Sequence, residues 1–191
     1  MPIEKNKISY KVDLSEELDK LGVTGNKRKK ATEAAGEVAL SAILDATAEE
    51  MSPVNKMHGF KGLSEQYRKF KRKKGKGTKA NLRLKEDMLP SMRVEADKES
   101  FTIKITDPTE KKKAFNHNTG DTLPRRQFLP NDEKNQQLKP GIRKAYLKML
   151  DEYKSDKPKK KPATKPKKED EGLGPDTGII PIEELLKKGL I

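Results

Sequence analysis

The sequence contains no cysteine. Disulfides and thiolate metal sites are therefore excluded, and the chain suits a reducing compartment. Histidine is scarce as well. Only His58 and His117 occur, far apart and outside any H-E-x-x-H pattern, so a zinc site lacks ligands at a workable spacing. Apolar residues make up 31% of the chain, a low share for a globular domain. No run approaches the roughly 20 consecutive apolar residues of a membrane span. The opening segment, MPIEKNKISY, lacks the apolar stretch of a secretory signal. No cofactor and no membrane contact are expected.

What is abundant is charge. Asp, Glu, Lys and Arg supply 38% of the 191 residues, and the net charge is +13. Such a field favours nucleic acid, anionic surfaces or acidic protein partners. The cations gather in two runs, Arg68–Lys85 and Lys157–Lys168. Each run has two readings, a solvated disordered stretch or a phosphate and acidic-surface contact. The contact reading of the first run nominates Arg68, Lys71, Arg72, Lys73, Lys74 and Lys76.

Apolar periodicity sets out the elements. Residues 1–12 alternate weakly through Ile3, Ile8, Tyr10 and Val12 and read as an extended arm. Asp13 or Ser15 can cap a short helix to Leu21. The strongest helix covers Asn26–Met51, with an Ala-rich stripe that permits close approach by a neighbour. Ser52-Pro53 is expected to stop it. Ser64 looks like the N-cap of a further helix, with Tyr67 and Phe70 on its apolar face. Lys71–Lys79 reads as a mobile basic loop. Residues 91–96 and 101–105 alternate and predict an antiparallel hairpin around a polar turn at Asp97–Ser100. Asp107-Pro108 opens a short helix. Pro124 argues that 122–129 is an edge or irregular strand. A last helix runs from Pro140 to about Tyr153.

The resulting architecture is α+β. A small, mainly antiparallel sheet of three to four strands is packed by a long N-terminal helix and a C-terminal helix. The domain occupies 13–154 after the 1–12 arm. A disordered basic linker, 155–178, is too polar to bury a core. A short amphipathic helix follows at 179–191. Its apolar residues Ile182, Leu185, Leu186 and Leu190 are candidates for docking on a partner.

Catalytic motifs are missing. The acidic residues mostly neighbour Lys or Arg, as solvated ion pairs do. Neither histidine sits beside a nucleophile motif. Gly75-Lys76-Gly77-Thr78-Lys79 lacks the P-loop spacing. An enzyme is not expected.

Three segments in order carry more information. The first is Ser52-Pro53 with Gly59-Phe60-Lys61-Gly62-Leu63-Ser64-x-x-Tyr67. The second is Ala80-Asn81-Leu82-x-Leu84-x-x-Asp87-Met88-Leu89-x-Ser91. The third is Phe115-Asn116-His117-Asn118-x-Gly120, followed by Leu123-Pro124-Arg125-Arg126-x-Phe128-Leu129-Pro130. This order resembles the phage virion-morphogenesis and tail-completion family over about 26–153. The resemblance implies a small antiparallel sheet packed by helices. It also implies a ring subunit, hexameric or dodecameric, in the neck or tail of a virion assembled in the host cytoplasm. Partners would be other copies of the chain, neighbouring neck, connector or tail-tube proteins, and non-specifically the genomic DNA. Relatives often carry a Gly turn where Lys85-Glu86 stands, and the extension beyond 154 is outside the family pattern.

Independently of the resemblance, Gly120 permits positive φ after a short helix. Pro124 and Pro130 stiffen the stretch between them. Leu123, Phe128 and Leu129 are expected to pack on the long helix, while Arg125 and Arg126 project as rigid cations. Arg125, Arg126, Phe128 and Leu129 are thus the subunit-interface candidates. The competing reading is a basic nucleic-acid-binding accessory protein.

Overall fold

The structure is a computed structural model and describes residues 8–82, 88–130 and 136–154. The elements in chain order are β1 (Ser9–Asp13), α1 (Ser15–Lys20), α2 (Asn26–Ala48), α3 (Glu65–Lys73), β2 (Met92–Ala96), β3 (Ser100–Ile105), α4 (Pro108–Thr119) and α5 (Pro140–Leu150). A single 3-10 turn, Asp151–Tyr153, continues α5. The class is α+β, with a three-stranded antiparallel sheet ordered β1-β3-β2.

The hairpin forms where the alternation places it, with Met92 opposite Ile105 and Ala96 opposite Phe101. Asp97 builds the turn. Its Oδ1 accepts from the backbone N–H of Glu99 and Ser100, both at 2.7 Å, and its Oδ2 accepts from Ser100 Oγ. These bonds hold the Asp97 carboxyl below its usual pKa. β1 corrects the expected arm. Its described part is an outer strand, with Tyr10 opposite Ile103, and Ile8 and Tyr10 are buried.

The long helix lies across this sheet on a seam of small residues. Ala31, Ala35, Gly36 and Ala39 are all buried. The approach is closest at Gly36, where a Cβ would lie 2.5 Å from Val94 Cγ1 and 3.2 Å from Phe101 Cβ. Glycine here admits the sheet's own side chains to the helix backbone. On the far side of the core Phe101 meets Tyr146 of α5 edge-on, with ring centroids 5.6 Å apart. Burial among these neighbours raises the Tyr146 pKa to about 12.

The helix stops at Ala48, before Ser52-Pro53. The Glu50 N–H bonds Thr47 O and the Met51 N–H bonds Ala46 O. That pair is a Schellman ending. Glu50, at φ 61, occupies the left-handed position usually given to glycine.

The remaining signals divide. Asp107 caps α4 by accepting from the Glu110 N–H at 2.9 Å, and Ser64 caps α3 by accepting from the Tyr67 N–H at 3.3 Å. α1 has no side-chain cap; Asp13 Oδ1 instead accepts from the Ser15 N–H and Oγ–H. The expected strand at 122–129 does not form. That stretch is irregular, and the side chains of Ser52 and Asn118 and the His117 carbonyl, not a ladder, bond its backbone.

Gly36 yields a paired test of the seam. Gly36→Ala gains helix propensity of about 1 kcal/mol but overpacks the core, at a typical cost of 1–3 kcal/mol. The net expectation is destabilisation by about 1 kcal/mol in urea unfolding. Gly141→Ala in α5, with nothing within 4 Å of its Cβ position, is expected to be neutral or slightly stabilising.

Candidate functional site

Described parts of the three motif segments, far apart in sequence, reach one polar junction, the second of them through Glu50 and Lys71, which lie outside the segments. Ser52 Oγ donates to Gln127 O at 2.6 Å, joining the first segment to the third. Glu50 Oε1 accepts from the Ala80 N–H, and Lys71 Nζ donates to Lys79 O at 2.6 Å and to Asn81 Oδ1 at 3.1 Å. These bonds bring in the second segment. Loop 53–55 is then stitched to 137–139 through Asn55 N–H to Gln137 O and Lys139 N–H to Pro53 O.

Within the third segment Asn118 acts as a clamp. Its Oδ1 accepts from the N–H of Phe128 and Leu129, and its Nδ2 donates to Leu129 O. The clamp folds 128–129 back over α4. Gly120, at φ 79, makes the turn possible; a Cβ there would lie 2.7 Å from Arg125 Cβ. Arg126 N–H reaches His117 O at 2.7 Å. The corner is thereby closed from both ends.

This packing revises the interface candidates. Phe128 and Leu129 are 0% exposed and belong to the core. Arg126 is 6% exposed and donates from an Nη to Lys61 O at 3.2 Å. It is turned inward because its backbone N–H is fixed on His117 O. Arg125 does project, and is steadied at 2.5 Å by Gln127 Oε1. Leu123 is 40% exposed rather than packed on the long helix.

The basic segment is revised in the same way. α3 extends through Lys73, so the stretch expected as a mobile loop is partly helical. Lys71, nominated as a phosphate contact, is 2% exposed. Tyr67 and Phe70, read as a core face, are 39% and 44% exposed. Their ring centroids lie 6.0 Å apart, and Lys74 Nζ sits 6.0 Å from the Phe70 centroid. Arg68, Arg72, Lys73 and Lys74 remain exposed, and Lys76 is half-buried. The docking candidates Ile182, Leu185, Leu186 and Leu190, the linker and Lys85-Glu86 lie outside the described residues.

No family model matches the chain, and no curated protein or solved structure matches it.

The electrostatics of the junction follow from burial. Desolvation lowers the pKa of Lys71, and the Glu50 carboxylate opposes that shift. Arg126 is also lowered by desolvation, against Tyr67 and Glu50. His117 falls to about 4, through burial first and the Arg126 charge second. His117 is therefore neutral at pH 7. Its Nδ1 and Arg126 Nε are buried without a hydrogen-bond partner. Among the described residues no group of three or more His, Asp or Glu converges as a metal site.

Two tests follow. Glu50→Gln keeps the shape but removes the compensating charge, and should destabilise by about 1–3 kcal/mol. Lys71→Met in the same chain should recover part of that loss, since one uncompensated cation is gone. Equal stability of the single and double variants in urea titrations would refute the coupling.

For His117 the folded pKa lies below the unfolded 6.5. The penalty is absent above pH 6.5 and grows as pH falls toward 4, because only the unfolded chain takes up the proton. The wild type should lose on the order of 2 kcal/mol over that window. His117→Gln should remove that slope, measured as the difference between the two unfolding curves at pH 7 and pH 4.5.

Proposed function

We propose that the chain is a structural, non-enzymatic protein of a tailed-phage particle. It acts as a ring subunit at the neck or tail end, joining the tail to the head-proximal connector. The observation that carries this reading is the convergence of the three ordered motif segments on one junction. Ser52, Ala80, Asn81 and Asn118, which belong to those segments, each take part in its hydrogen bonds.

The architecture is compatible with assembly. β1 and β2 are the outer strands of an open sheet, and a ring needs two different, complementary surfaces on each subunit. Arg125 and Leu123 supply an exposed cation and an exposed apolar side chain. The interface proposal now rests on these two and on the sheet edges, not on Arg126, Phe128 and Leu129.

The alternative is a nucleic-acid-binding accessory protein, favoured by the exposed rings of Tyr67 and Phe70 among cations. It predicts a monomer whose binding to nucleic acid weakens steeply with salt.

The deciding measurement is molar mass by light-scattering chromatography at low and high salt. A discrete oligomer that survives high salt is expected. Arg125→Glu should shift it toward the monomer without altering the melting temperature. Arg126→Glu should lower stability itself, because it buries a charge beside Glu50. A chain that stays monomeric and is absent from purified particles would overturn the reading.

A further inference from the structure

We propose that the exposed face of α3 binds single-stranded nucleic acid. Tyr67 and Phe70 stack bases, while Arg68, Arg72, Lys73 and Lys74 neutralise phosphates. The proposal does not rest on the particle reading.

Three observations combine. The first is exposure. Helix α3 is anchored by Lys71, whose ammonium is buried and bonded to Lys79 O and Asn81 Oδ1. Tyr67 lies only about 40° from Lys71 around the helix, yet Tyr67 and Phe70 stay 39% and 44% exposed. The second is geometry. The two rings, one helical turn apart, are tilted by 33° at 6.0 Å, and Lys74 Nζ stands 6.0 Å from the Phe70 centroid. A base on Phe70 therefore has a cation close by for its phosphate. The third is charge. Between Ser64 and Lys79 there are eight Lys or Arg residues and one acid, Glu65. Glu65 meets Arg68 and Lys69 only at 3.8 Å, on the solvent side.

Charge complementarity selects a polyanion. The rings narrow the choice, because each base offers a π-face to an exposed aromatic whatever its sequence. A duplex hides its base faces, so the unpaired strand is the favoured form. The helix spans about 14 Å, enough for a few nucleotides. No base-edge reader accompanies the rings, so binding should be independent of sequence and strongly dependent on salt.

The test is fluorescence anisotropy of the full chain with a dye-labelled oligothymidylate, and with heparin as a polyanion that has no bases. Tyr67→Ala with Phe70→Ala should weaken oligothymidylate binding about tenfold or more, while heparin binding changes less than about twofold. Arg72→Glu with Lys73→Glu should weaken both. Because all four side chains are exposed, the melting temperature should be unchanged. The proposal is overturned if the aromatic variant binds oligothymidylate like the wild type, if it loses heparin equally, or if duplex DNA binds more tightly than the single strand.

Discussion

The Glu50 carboxylate is the interaction on which the junction depends. A chain with net charge +13 buries Lys71 and Arg126 close to one another, each depressed in pKa by desolvation. Buried cations need an opposing charge and satisfied protons. Glu50 opposes the shift in both, and also takes the Ala80 N–H. It does so from a left-handed backbone position, φ 61, that costs a non-glycine residue on the order of 1 kcal/mol. Glycine would end α2 without that strain but would carry no carboxylate. The strained glutamate persists because the buried cations around it outweigh the strain.

The same requirement gives the motif segments their order. The chain returns to the junction at Glu50–Ser52, at Lys71, at Ala80-Asn81 and at His117–Leu129, and apart from Lys71 in α3 and the end of α4 these returns are irregular backbone. Irregular backbone buried in a fold must find hydrogen bonds outside a helix or ladder. Ser52 Oγ holds Gln127 O, and Asn118 holds three backbone groups of Phe128 and Leu129. Small polar side chains in the motifs therefore do structural work that an apolar core residue cannot do.

This divides what the sequence revealed from what it hid. The α2 stripe, the β2–β3 hairpin, the cap at Ser64, the helix start at Asp107-Pro108 and the Gly120 turn were legible, because each depends on residues a few positions apart. β1 was read as an extended arm but not as a paired strand, since its partner lies about ninety residues away. The burial of Lys71 and Arg126 was illegible for a related reason. Local sequence shows a cation, and a cation in a basic run reads as solvated. Only the distant Glu50 and the carbonyls of Lys61 and Lys79 make burial tolerable. Tyr67 and Phe70 were read as a core face because an aromatic pair at helical spacing ordinarily marks the buried side.

The orientation of α3 ties these points together. Lys71 lies about 40° around the helix from Tyr67, on the same side, yet the lysine is buried and both rings stay partly exposed. Burying an aromatic side chain is worth about 1.5–3 kcal/mol, and α3 forgoes part of that gain at two positions. The helix is held by charge and hydrogen bonds, which leaves its apolar groups free for the surface. Arg126 couples the two halves of the site, acting on His117 beneath the corner and lying within electrostatic reach of Tyr67. The exposed side chains are Leu123 and Arg125 at the corner and the rings and cations on α3.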